Sequence, residues 1–181
     1  MKNPKTEITH TQSWLKDIII AHNICPFAKR EFDKGSIHYE LIDSSKIEEQ
    51  LQALISNCKA LDSNEEIETS LLIFPHGLNS FDDYLDFLAL ANALMEKQGY
   101  EGVYQLASFH PNYCFEGVTE DDASNYTNRS PYPTLHLIRE VSLEKVLESY
   151  PNPEKIPERN IEYTRELGIE KMQKMLDNCQ K

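Results

Sequence analysis

TSLLIFP, residues 69–75, is an unbroken apolar run closed by a proline. A run of that length fits a β-strand buried on both faces, and such a strand needs helices on each side of its sheet. The flanking segments supply them. Upstream, SIHYELI (36–42) alternates Ile37, Tyr39 and Leu41 with Ser36, His38 and Glu40, the period-two pattern of a half-buried strand. Between the two strands, Ser44 or Ser45 precedes Ile47, Leu51, Leu54, Ile55, Cys58 and Leu61, which step by three or four along one helical face. Downstream, SFDD (80–83) resembles a capping box headed by Ser80, opening a helix through Tyr84, Leu85, Leu88 and Met95 to Gly99.

GVYQLASFH (102–110) and TLHLIRE (134–140) read as the third and fourth strands. At the N-terminus, Thr11 or Ser13 is expected to cap a helix with an apolar stripe through Trp14, Ile18 and Ile19. Beyond strand four, Ser142 caps a short helix to about Tyr150, PNPEKIP (151–157) forms a corner, and Asn160 or Ile161 starts a final helix that Gly168 weakens. The expected fold class is α/β of the mixed α+β kind, a single mixed four-stranded sheet packed with helices, in one globular domain over residues 1–181. Right-handed crossovers set the first three strands parallel if they are adjacent. The fourth, reached by a loop, is expected to run antiparallel beside the third or to join the sheet elsewhere.

The acidic balance, 30 Asp+Glu against 18 Lys+Arg, gives a formal charge of -12. That field repels phosphate backbones and anionic membrane surfaces, so neither nucleic acid nor membrane is an expected partner. No apolar run reaches a membrane span and no secretory h-region opens the chain, which predicts a cytoplasmic protein with its four cysteines reduced. GxGxxG, P-loop, GxSxG and HExxH motifs are all absent, and with them the common nucleotide and hydrolase readings.

Chemistry concentrates in two places. The first is residues 109–133, FHPNYCFEGVTEDDASNYTNRSPYP, a long stretch without helical or strand periodicity at the end of a strand, where open α/β sheets place ligands. It brings His110 as a candidate base or metal ligand, Arg129 as a fork for an anion, and Asp122, Asn128 and Tyr132 as polar neighbours. The bland reading of His110 is a hydrogen bond that fixes the loop, and that of Arg129 is a salt bridge to Asp121 or Asp122. His136 alternates with Leu135 and Leu137, so it faces away from their side, toward solvent or a site.

The second place is AHNICPFAKREF (21–32). Pro26 suits the first position of a new helical turn, which makes Cys25 its N-cap or the cap's neighbour, with Lys29 and Arg30 one turn on and the thiolate favoured. The competing reading makes Cys25 a small buried hydrophobe among Ile24, Pro26 and Phe27. The pairs His22/Cys25 and His110/Cys114 also form an arithmetical zinc set, and His110, His136 and Asp122 a mononuclear alternative.

NICPFA, LLIFP, QLASFHP, NRSPYPTLHLIRE and IPERN, in this order, resemble the uncharacterised bacterial family known as domain of unknown function 1415, over Trp14 to Gly168. The matched motif positions include Cys25, His110, Asn128, Arg129, Tyr132, His136 and Arg139, and the resemblance implies no activity. His22 and Cys114 lie outside its motifs. The expectation is an enzyme acting on a small anionic metabolite through a Cys25/His110/Arg129 site, cofactor unknown; the alternatives are a metal-binding protein and a non-catalytic binding module.

Overall fold

A computed structural model describes residues 5–181. The chain folds as a mixed α+β protein on one four-stranded sheet. Strand β1 spans Ile37–Leu41, β2 Thr69–Ile73, β3 Tyr104–Phe109 and β4 Thr134–Arg139. Their order across the sheet is β1-β2-β4-β3, with β1 and β2 parallel and β4 antiparallel to both of its neighbours. The loop-connected strand therefore inserts between β2 and β3 and keeps them apart. β2 is central and buried along its whole length.

Period-two alternation sends successive side chains of each strand to opposite faces, and each face has its own core. Leu72, Phe74, Leu135, Leu137 and Tyr104 pack beneath α3 (Ile47–Ser63) and α4 (Phe81–Lys97). Leu71 packs on the other face with Trp14, Ile18 and Ile19 from the N-terminal segment and Met172 and Leu176 from the C-terminal one. Helix α4 opens as its sequence indicates, with the Asp83 N–H donating to Ser80 Oγ at 3.4 Å. The turn before it requires Gly77, whose φ is +88° and where a Cβ would stand 2.9 Å from the Ser45 backbone.

Three helices begin earlier than their capping residues suggest. Helix α1 covers Lys5–Trp14, because the Thr11 hydroxyl bonds back to the Glu7 carbonyl within the helix instead of capping it. It continues as a π-helical segment, Leu15–Ile20, whose Leu15, Ile18 and Ile19 are buried. Helix α5 (Glu140–Ser149) follows β4 directly, ahead of Ser142. The C-terminal helix starts at Ile156, where Pro157 suits the first turn, and Gly168 divides it into α6 (Ile156–Leu167) and α7 (Ile169–Asn178). No helix among the described residues is long and apolar enough to cross a membrane.

Candidate functional site

The first helix ends with Asn23 in the left-handed region, φ +53°, and the Ile24 N–H donates to the Ile19 carbonyl at 2.9 Å. The chain then turns through Cys25 and Pro26 into α2 (Ala28–Lys34). The Phe27 and Ala28 N–H groups act on the Cys25 thiol as they would on a capping side chain, favouring the thiolate. Burial opposes them and is the larger effect, so the thiol is pushed up from its ordinary range and stays protonated. The N-cap of α2 is Phe27 and no side chain caps its first turn, so Cys25 lies two residues ahead of the cap, partly buried in the core, and neither the expected cap nor the expected thiolate is found.

Cys25 lines a cavity of about 480 Å³ between the sheet, α2 and α5, a size within the roughly 300–1,000 Å³ usual for small-molecule sites. Trp14, Leu71, Phe109 and Ile138 give it an apolar interior, and Leu143 and Val146 of α5 close one side. Phe27 and Tyr150 meet edge to face across its margin, ring centres 5.3 Å apart. His136 lines the same cavity, on the β4 face opposite Leu135 and Leu137, the face the alternation assigned it while leaving solvent or a site open.

Thr69 fixes the His136 ring. Its hydroxyl donates its one proton to the Leu137 carbonyl at 2.6 Å, so the 2.6 Å contact with His136 Nε2 is an N–H donated to the threonine oxygen. Nδ1 is left deprotonated and without a hydrogen-bond partner among the described residues. Burial lowers this imidazole to about 4, so it is neutral at pH 7. A neutral ring with a free Nδ1 is equipped to accept a proton. At the rim, exposed Arg30, Lys34 and Lys145 stand with Glu31 and Glu68. Arg30 was legible one turn on from Cys25, whereas Lys34, Lys145 and Thr69 carried no signal before the fold was known.

His110 does not face this cavity. As the residue after Phe109 it turns to the opposite side, fully buried between the rings of Phe81 and Tyr84. Nε2 donates to the Leu78 carbonyl at 2.9 Å and Nδ1 accepts from the Asn112 N–H at 3.0 Å, so both nitrogens are engaged, and burial lowers its pKa. The pairing of Cys25 with His110 is therefore not assembled, and the bland reading of His110 describes its contacts.

Arg129 is likewise turned inward on its loop. Its Nε donates to the Tyr113 carbonyl and its Nη2 to that of Glu120, with the guanidinium 4.7 Å from the Tyr126 ring. The expected bridge to Asp121 or Asp122 is absent, because Asp122 caps the 3-10 turn Ala123–Thr127 and pairs with Arg165 at 2.7 Å, which holds its carboxyl far below the usual range. Asn128 donates to the Ser108 carbonyl, and the Tyr132 hydroxyl meets His10 Nδ1 at 2.8 Å. Arg139 closes the end of α3, its Nη2 donating to the carbonyls of Leu61 and Ile67. These residues knit the loop and the sheet edge together. Beside the loop lies an open cleft of about 730 Å³ that Arg129 lines together with Asp82, Glu120, Asp121 and Glu170, four acids against one cation, a composition unsuited to an anion.

Neither proposed metal set is gathered. Among the described residues no three His, Cys, Asp or Glu side chains converge as ligands. His22 instead bonds the Tyr163 hydroxyl at 2.7 Å, and Cys114 faces carbonyls of its own loop.

A family model described as protein of unknown function (DUF1415) matches residues 6–174. No curated protein and no solved structure shows a match.

Proposed function

The chain belongs to this family, whose description carries no activity, and we propose from the cavity's own chemistry that it binds a small organic molecule on which Cys25 and His136 act. The observation that carries this reading is a thiol and a neutral imidazole lining one apolar cavity. A protonated thiol is a poor nucleophile until a base removes its proton. His136 Nδ1 is such a base, and Thr69 is the positioning residue that keeps its other nitrogen protonated. Burial raises the thiol and lowers the imidazole, so a dry cavity alone opposes transfer of the thiol proton to Nδ1; the ligand itself must stabilise the thiolate–imidazolium pair for Sγ to act as the nucleophile.

The test is the rate of Cys25 modification by iodoacetamide, followed by peptide mass mapping so that the other three cysteines are read separately. His136→Gln is expected to slow Cys25 about tenfold at pH 7 while leaving the unfolding midpoint within the range of ordinary surface changes. Equal rates in the two proteins would remove His136 as the base. One observation favours a non-catalytic binding module as the second reading: burial holds the thiol protonated. Equal modification rates, together with retained ligand binding, would make it the better description.

A further inference from the structure

The cavity has an internal polarity that specifies more than its volume. Its deep walls are hydrocarbon and aromatic, from Trp14, Leu71 and Phe109, and its deepest imidazole is uncharged at neutral pH. Its mouth is cationic. Arg30, Lys34 and Lys145 outnumber Glu31 and Glu68 there, in a molecule whose formal charge is -12. Arg30 and Lys34 share Glu31, which lies 3.5 Å from both and accepts from Ser36 Oγ at 2.7 Å, so this group keeps one net positive charge. Lys145 has no carboxylate within 4.0 Å among the described residues. A positive rim against a negative whole recognises charge locally, while the apolar interior supplies the affinity.

Resting on the reading of this cavity as a ligand site, we propose that its occupant is a small amphiphilic monoanion, a carboxylate whose apolar tail lies against Trp14 and whose head sits among Arg30, Lys34 and Lys145. Charge complementarity selects this class over a cation. The apolar walls select it over a compact polar anion such as phosphate, which would leave its hydrogen bonds unmet inside. The orientation places the head at the mouth and leaves the tail beside Cys25 and His136.

Trp14 is the only tryptophan of the chain, so its fluorescence reports on the cavity wall alone. Titration with 10-bromodecanoate is expected to quench it saturably, because the bromine is carried on the tail. Decanoate should displace the probe, and decyltrimethylammonium should do so at least tenfold more weakly. Lys145→Glu should weaken the carboxylate about three- to tenfold, with Lys34→Glu as the independent second variant. Equal displacement by the anion and the cation, unchanged affinity in both charge reversals, or no saturable quenching would overturn the proposal. The two readings fail separately: loss of quenching with His136-dependent alkylation intact sinks the ligand class, whereas retained quenching with His136-independent alkylation sinks the chemistry.

Discussion

At the scale of single residues, the difference between His110 and His136 decides where chemistry can occur. Both are neutral by burial, but His110 has both ring nitrogens engaged by the backbone, whereas His136 has one held by Thr69 and one free. Thr69→Ser should retain Cys25 reactivity, because the hydroxyl that orients the ring survives. Thr69→Val should lower it several-fold in the same alkylation assay without changing the other cysteines. The depressed His136 value also makes a stability prediction. Between an ordinary histidine pKa near 6.5 and about 4 the unfolded chain binds a proton that the folded one does not. This contribution is present above pH 6.5 and is lost as the pH falls toward 4, to the extent of roughly 3 kcal/mol. Urea unfolding at pH 7 and pH 4.5 should show that part of the acid destabilisation removed in His136→Gln.

His136 was legible in the sequence because strand alternation alone assigns its face. The environment of Cys25 was legible only in part: Pro26 marked a new helical turn close by, but α2 starts at Ala28 with Phe27 as its cap, and the burial that raises the thiol comes from residues far along the chain. Arg129 and Arg139 illustrate a different failure. A motif-rich arginine looks like an anion fork, yet a carbonyl is an equally good acceptor, and nothing local tells which one the fold will present.

At the scale of elements, the most informative helix is α5, which closes one side of the cavity without contributing a buried residue. Its start is fixed by Arg139, bonded to the end of α3, and its exit turns through Asn152 in the left-handed region at φ +53°. A helix with no buried side chain between two fixed ends should open more readily than the sheet beneath it. Native-state hydrogen exchange is expected to show α5 amides less protected than those of β2, and addition of decanoate to raise protection in α5 specifically. Arg139→Ala should cost about 1–3 kcal/mol in chemical denaturation, since it unpairs carbonyls at the end of α3. The helix boundaries were the least legible feature here. Ser142 and Asn160 have the right chemistry for caps, but β4 passes directly into α5 and the proline at 157 begins α6 ahead of Asn160.

At the scale of the whole molecule, TSLLIFP specifies a central strand and hence helices on both faces, and those two layers are what the chain builds. The insertion of β4 between β2 and β3 was not legible, because a 24-residue connection fixes neither direction nor neighbour, and a crossover helix fixes only direction: β3, reached through α4, runs parallel to β2 but is not its neighbour. That insertion bears on the proposed site. It puts His136 in the middle of the sheet, in register with Leu71 and Ala107, beneath the turn that carries Cys25. Leu72→Ala, at a fully buried position of β2, should cost about 2–5 kcal/mol with an unchanged denaturant slope, since a single sheet serves both cores.

The measurement that tests the shared cavity most directly is the pair of 15N shifts of the His136 ring, recorded at pH 6 before and after methanethiolation of Cys25. The expected spectrum is that of a neutral ring protonated at Nε2, with the Nδ1 resonance moving when the thiol is capped and the Nε2 resonance held by Thr69. An imidazolium at pH 6, or a ring indifferent to Cys25, would contradict the account.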